Sequence, residues 1–295
     1  MKKAIIFTDF DLDGAGSYLL FKWQTDINYE LRTTSARKFH DDFSHWLYNT
    51  DLDEYSKVII LDIDCSNHLD LVDFPKAEIY DHHSKHVLIK DQYMHAKTYI
   101  EDCTSNTKLL LKYFRNTGLK AFTKPQLLLI ALVDDYDSYK LKFKDTLNLN
   151  TVFWSYSGHK LEKFAEEFYN GFTGFNKLQQ NVIALYSKKY ADRSNELELF
   201  VAIVMHQNKS YKFVSTFCDF AINEIANNII KRTNADVCIV INTVNNTVNI
   251  RCKQGCDYPV DRFAEKICDG GGSTIAAGGK LTDKFAEFSK IFKPL

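Results

Sequence analysis

A short apolar run, Ala4-Ile5-Ile6-Phe7, is followed by three aspartates on alternate positions, Asp9, Asp11 and Asp13, and Gly14-Ala15-Gly16-Ser17 comes at once after them. The run predicts a buried strand and the glycines a turn into a helix. Together they put the carboxylates at the carboxyl end of a strand, where open α/β sheets hold their ligands. Two carboxylates about 4 Å apart repel by roughly 4 kcal/mol at an effective dielectric near 20, and a third adds to that. A divalent, oxygen-seeking cation such as Mg²⁺ or Mn²⁺ reverses the sign. Helix capping is the competing account, because Asp is favoured just before a helix. The triplet alone does not choose between the two.

The rest of the first half repeats the alternation of strand and helix. Ala4 to Thr8, Leu31 to Ser35, Val58 to Ile63 and Ala77 to Tyr80 read as strands, with helices over Gly16 to Thr25 and Phe39 to Asn49. That order implies right-handed crossovers and an α/β fold with a mostly parallel, doubly wound sheet covered by helices on both faces. Thr104 to Asn116 predicts an amphipathic helix stopped by Gly118. A helix starting near Pro125 runs through Leu127 to Val133 and ends in a second acidic group, Asp134, Asp135 and Asp137.

The helical pattern that begins at Leu161 reaches Ala191, and Asp192-Arg193-Ser194-Asn195 reads as a connector. Strand pairs then take over at Leu197 to His206, Lys212 to Thr216, Val237 to Thr243 and Thr247 to Arg251, the last two joined through Asn245-Asn246. With helices near Phe217 to Arg232, Pro259 to Cys268 and Asp283 to Phe292, they predict a second, smaller α/β domain. The expected division is residues 1–190, a linker at 191–196, and 197–295, with a cleft between the two domains.

Composition removes several function classes. A formal net charge of −1 excludes the generally basic surface that drives nonspecific duplex binding, so any nucleic-acid contact must be local. The N-terminal apolar run is too short for a signal peptide. No stretch approaches the roughly 18 apolar residues of a membrane span. Seven cysteines, an odd number scattered over 295 residues, fit free thiols in a reducing cytoplasm, which is the expected location. Cys252 and Cys256 have no second pair at zinc-ligand spacing.

Four polar groups stand just past apolar strands or at a helix end. They are Asp9/Asp11/Asp13, Asp62 and Asp64 after Val58-Ile59-Ile60-Leu61, Asp81-His82-His83 after Ile79-Tyr80, and Asp134/Asp135 after Leu132-Val133. Strand ends of a parallel sheet lie side by side, so residues far apart in sequence converge on one edge. Asp9-Phe10-Asp11-Leu12-Asp13-Gly14, Asp62, Asp81-His82-His83 and Asp135, followed by Gly270-Gly271-Gly272-Ser273-Thr274-Ile275-Ala276-Ala277-Gly278, resemble the DHH/DHHA1 phosphoesterase family. That family includes RecJ-type single-strand exonucleases and nano-RNases that act on short oligonucleotides and dinucleotides. The resemblance covers nearly the whole chain and implies a DHH domain with a dimetal site followed by a DHHA1 substrate-binding domain.

Carried over position by position, the resemblance implies Asp9, Asp11, Asp13, Asp62, His82 and Asp135 as ligands of two Mn²⁺ or Mg²⁺ ions, with Asp62 as a bridge. It also implies that His83 faces the scissile phosphate and that Asp81 orients a neighbouring imidazole. Asp137 competes with Asp135 for the last ligand position, and Asp64 and Asp134 read as supporting or capping groups. In the second domain, Arg251 and the backbone of Gly271, Gly272 and Ser273 are implied to grip the terminal nucleotide's phosphate or base. Three glycines in a row let N–H groups approach a phosphate, and a following helix or turn adds positive dipole. Trp154, Tyr156 and Tyr258 are candidates for base stacking among aromatics that otherwise belong to the core.

Two positions depart from the family pattern. Asp9 stands where nano-RNases have a histidine, which agrees better with the exonuclease type. Ser273 replaces the histidine that closes the glycine motif and leaves a donor without charge. The expected activity is metal-dependent hydrolysis of short single-stranded oligonucleotides or dinucleotides to 5′-mononucleotides. The end of the chain at residue 295 and its near-neutral charge favour short substrates. A RecJ-like single-stranded DNA exonuclease is the alternative within the enzyme class. A nucleotide-binding or scaffold protein with an impaired site is the alternative from another class, and no membrane partner is expected.

Overall fold

The structure, a computed structural model, describes residues 3–117 and 120–295; Gly118, the expected helix stop, lies outside them. The chain divides into two compact units, Met1–Ile183 and Ala184–Leu295.

In the first unit β1 (Lys3–Asp9), β2 (Tyr29–Thr34), β3 (Tyr55–Leu61), β4 (Ala77–Asp81) and β5 (Lys97–Ile100) form a sheet in the order β2-β1-β3-β4-β5, parallel throughout. Between the strands run α1 (Leu12–Gln24), α2 (Phe39–Tyr48) and the short α3 (Leu69–Val72) and α4 (Ser84–Ile89). After β5 come α5 (Asn106–Asn116), α6 (Lys124–Asp137), α7 (Thr146–Ser155) and α8 (Lys160–Glu167). Side chains alternate across each strand. Ile6, Ile59 and Tyr80 therefore pack on one face with Leu19, Leu110 and Phe153, while Ile5, Phe7 and Ile60 pack on the other with Phe39, Phe43 and Trp46. Burial on both faces explains why β1 and β3 are unbroken apolar runs. The strand order reverses direction between β1 and β3, and ligands bind at the carboxyl side of such a reversal.

Several boundaries differ from the sequence reading, each for a local reason. α1 starts at Leu12, before the expected Gly16, because Asp11 caps it by accepting the Gly14 N–H at 3.0 Å. A Cβ on Gly14 would meet the Asp9 carbonyl oxygen at 2.2 Å, and one on Gly16 the Thr107 hydroxyl at 2.4 Å. Those two glycines let α1 begin against the end of β1 and lie close to α5. The helix expected from Leu161 to Ala191 is two, α8 and α9 (Lys177–Glu196), interrupted where Gly171 and Gly174 take positive φ. Residues 191–196 are the end of α9. The sequence reading did not include β5 or α7.

The second unit holds β6 (Phe200–His206), β7 (Lys209–Phe217), β8 (Val237–Asn242), β9 (Thr247–Cys252), β10 (Gly271–Gly272), β11 (Ala276–Lys280) and β12 (Lys293–Pro294). They form a mixed sheet in the order β10-β11-β9-β8-β7-β6-β12, in which only β7 and β8 run parallel. α10 (Ile222–Thr233) covers one face, with Ile225 and Ile229 against Val214 and Val240. α11 (Val260–Cys268) and α12 (Asp283–Ser289) cover the other, with Phe263 and Phe285 against Phe213 and Ile250. All seven cysteines are free. Among the described residues no helix is long and apolar enough to cross a membrane.

Candidate metal centre

At the carboxyl edge of the parallel sheet β1 ends in Asp9, Asp62 follows β3, and His82 and His83 follow β4. His82 Nε2 lies 3.3 Å from Asp62 Oδ1, 3.7 Å from Asp13 Oδ2 and 3.8 Å from Asp137 Oδ2. Its Nδ1 sits 3.1 Å from the Cys103 carbonyl oxygen. A proton donated from Nδ1 to that carbonyl leaves the Nε2 lone pair aimed at three carboxylates. Such an arrangement is repulsive unless a cation or further protons enter it. Two overlapping groups bring their donor atoms within 4.8 Å of one another, Asp62 with His82 and His83, and Asp13 with His82 and Asp137.

The backbone holds these groups in place. Asp62 has φ +57°, a conformation that costs a non-glycine residue on the order of 1 kcal/mol or more, and its N–H donates to the Tyr80 carbonyl at 3.0 Å. Asp13 accepts the first N–H groups of α5, from Asn106 at 2.6 Å and Thr107 at 2.9 Å. Asp11 caps α1. Helix capping and charge crowding therefore coexist in the triplet.

The electrostatics report the crowding. Burial first, and then the charges of Asp13 and Asp11, push Asp62 and Asp137 well above the ordinary carboxylate range. Burial and then Asp11 push Asp9 up to about 7, and burial followed by Asp13 raises Asp11. An oxygen-rich set of carboxylates with an imidazole at its centre fits hard divalent cations, and the imidazole favours Mn²⁺ over Mg²⁺.

Asp135, expected as the last ligand, is turned away from this group. Its carboxylate accepts the N–H groups of Lys142 and Phe143, each at 3.0 Å, and the Thr146 hydroxyl at 2.6 Å. Burial would raise its pKa, but these donors outweigh it and hold the group below the ordinary range. Asp137 takes the place beside His82. The reason is helical phase, because residues two apart on α6 point about 200° apart and only one of them can face the strand ends. Asp134, three residues before Asp137 and so on its side of the helix, accepts hydrogen bonds from the Thr104 and Ser105 hydroxyls and pairs with Lys108. It ties α6 to the start of α5.

Behind the carboxylates runs a buried chain of hydrogen bonds. Asp81 is fully buried, with Oδ1 2.7 Å from His83 Nδ1 and Oδ2 2.6 Å from His86 Nδ1. His86 Nε2 in turn meets the Tyr93 hydroxyl at 2.6 Å. Burial opposes ionisation of Asp81, but the two imidazoles hold it far below its ordinary value. Burial would lower His83, yet the Asp81 charge outweighs it and pushes that imidazole up to about 10. Asp64 lies beside Asp81 and His86 and accepts the Ser66 N–H at 3.1 Å. The sequence reading missed His86, whose only signal is its place two residues into the helix that follows Asp81-His82-His83.

In the second unit the glycine-rich segment is a tight antiparallel hairpin, with Gly271 opposite Gly278 and Gly272 opposite Ala277, and no helix follows it directly. Of the helix or turn expected after the three glycines, the structure has the turn, closed by strand pairing. A Cβ on Gly270 would lie 1.9 Å from the Gly278 carbonyl oxygen and one on Gly272 2.3 Å from that of Ala276, whereas Gly271 faces open space. The Ser273 N–H donates to the Ala276 carbonyl at 2.7 Å. Arg251 pairs with Ala276 across β9 and β11 and donates to Asn223 Oδ1 at 2.5 Å. Arg251 and the hairpin thus flank β11, as the sequence reading brings them together, but the backbone group of Ser273 is spent within the hairpin.

Solved structures with this architecture match along the whole chain. A pGpG-specific phosphodiesterase, PggH from Vibrio cholerae, is 12% identical with a TM-score of 0.60 over 98% of this chain and 96% of its own. Exonuclease RecJ bound to manganese is 10% identical, with a TM-score of 0.54 over 98% of this chain and 88% of its own. RecJ from Thermus thermophilus in complex with Mn²⁺ is 12% identical at a TM-score of 0.54, and the match covers 98% of this chain and 51% of that one. No protein-family model and no curated protein matches the sequence. The chain has the fold of the DHH-type phosphoesterases.

Proposed function

We propose that the protein is a two-metal phosphodiesterase that hydrolyses short single-stranded oligonucleotides or dinucleotides to 5′-mononucleotides. The observation that carries the reading is His82 Nε2 surrounded by Asp62, Asp13 and Asp137 at the sheet's reversal point. Asp9, Asp11, Asp13, Asp62, His82 and Asp137 would hold a pair of Mn²⁺ or Mg²⁺ ions, which supply Lewis acidity toward a phosphoryl oxygen and an activated water at neutral pH. His82 is oriented by the Cys103 carbonyl so that Nε2 serves as the donor atom. His83, anchored through Nδ1 to Asp81, donates to a non-bridging oxygen of the scissile phosphate. Asp81 touches no substrate and acts by holding that imidazole. Arg251 and the open side of Gly271 would take a phosphate or base of a nucleotide, with Gly272 shaping the hairpin, whereas the backbone and hydroxyl of Ser273 are both bonded to Ala276.

The test incubates the protein with Mn²⁺ and labelled RNA and DNA of graded length, from dinucleotides upward. Cleavage of the short species, lost in the Asp62→Ala/His82→Ala double variant, is the expected result. If no length is cleaved, or the double variant cleaves as well as the parent, the enzyme reading is wrong. Degradation of long DNA alone would replace it with the exonuclease alternative.

A further inference from the structure

Phe10 sits between Asp9 and Asp11, in the middle of the carboxylate triplet, and its ring is 43% exposed. Trp154, at the end of α7, is 44% exposed. The two rings meet edge to face, with centroids 6.1 Å apart and planes at 87°. They meet at a right angle and make a half-exposed apolar corner, an expensive feature to leave in water beside so many charges. Trp154 is fixed from behind by the fully buried Phe153, 5.5 Å away at 80°. Lys160, the first residue of α8, holds its ammonium 4.0 Å from the Trp154 ring centroid. Burial lowers its pKa, and among the described residues no carboxylate forms a salt bridge with it. α8 has no side-chain cap at its N-terminus, but Glu162 in its first turn already faces the helix dipole and lies 3.3 Å from His159 Nδ1, so the group there that attracts an anion is the Lys160 ammonium itself.

A flat apolar ring, a second ring supporting it and a cation without a carboxylate partner make up the chemistry that a nucleotide presents in reverse. We propose that Phe10 and Trp154 form a stacking platform for the nucleobase beside the scissile phosphate, and that Lys160 takes a phosphate of that same nucleotide. The assignment deepens the phosphodiesterase reading and rests on it. Stacking is tolerant of base identity because every base has a π face, so the platform accepts purines and pyrimidines and reads neither sugar nor sequence.

The chain contains three tryptophans, and Trp23 and Trp46 are buried, which makes Trp154 the reporter of ligand in a fluorescence titration. The metal-free protein is titrated with AMP, adenosine and ribose 5-phosphate. AMP and adenosine should quench saturably and ribose 5-phosphate should not. Phe10→Leu should weaken both active ligands by about tenfold, and Lys160→Met should weaken AMP several-fold while sparing adenosine. The platform is overturned if AMP leaves the fluorescence unchanged, or if Phe10→Leu, with thermal unfolding like that of the parent, binds AMP equally well. The oligonucleotide assay separates the two ideas. Cleavage without quenching removes only the platform, whereas quenching without any cleavage removes the phosphodiesterase reading and leaves a nucleotide site.

Discussion

The carboxyl edge of the first unit and the glycine hairpin of the second handle their polar groups in opposite ways. Asp62, Asp13 and Asp137 are gathered around one imidazole, so that Asp62 and Asp137 resist ionisation. The hairpin, by contrast, satisfies itself, with Ser273 bonded to Ala276, and Gly270 and Gly272 are required because neighbouring carbonyls leave no room for a Cβ. One region stores an electrostatic demand that a cation would meet. The other is a matter of shape.

The sharpest way to break this contrast is to compare Asp137→Ala with Asp135→Ala. Mn²⁺ should raise the melting temperature of the parent, as any ligand of the native state does, and of Asp135→Ala, but not of Asp137→Ala. Asp135→Ala should instead cost about 2–3 kcal/mol of stability, because it strands two backbone N–H groups and a hydroxyl. A folded Asp135→Ala protein that no longer responds to Mn²⁺ would reverse the placement of the two residues.

A smaller effect probes the hairpin. Gly272 has φ +148° and no space for a side chain, so Gly272→Ala should cost about 2 kcal/mol or more in urea unfolding. Gly271 faces open space, and Gly271→Ala should fall within about 0.5 kcal/mol of the parent. Equal costs would show that steric exclusion does not shape the hairpin.

The smallest effect concerns a carboxylate of the first unit whose needs are met. Asp73 accepts the N–H groups of Met94, His95 and Ala96 at 2.9, 2.8 and 2.7 Å. Burial would raise it, but these three donors hold it below its ordinary value. A lowered folded-state pKa means that its stabilisation is present above the unfolded value of about 3.9 and is lost as pH falls through the folded value. The stability gap between the parent and Asp73→Asn should therefore be open near neutrality and close in acid. A gap that widens on acidification would contradict the assignment.

Much of this was legible in the sequence because it depends on local pattern. The apolar runs of β1 and β3 mark strands buried on both sides, and the residues after them must emerge at one edge of a parallel sheet. α11 was located to within a residue by its periodicity, and Pro125 marked the start of α6, where Thr123 and Gln126 form a capping box. β5 has only four residues, of which only Ile100 is buried, too short a pattern to mark a strand. The break between α8 and α9 does carry a sequence signal, Gly171 and Gly174, which take positive φ there and mark a turn rather than a helix interior.

From the sequence alone it follows that Asp62 and His82 emerge at one edge of the sheet, since they follow β3 and β4 directly. Tertiary structure alone decided which way they face. Asp135 and Asp137 are equivalent as letters two positions apart, and only the rotation of α6 against α5 and the strand ends turns one toward His82 and the other toward Thr146. His86 likewise joins Asp81 through the turn from β4 into α4, and Phe10 meets Trp154 across more than a hundred residues of chain. Local sequence sets where an element begins and ends, but its rotation is set by the side chains it packs against, and those come from elsewhere in the chain.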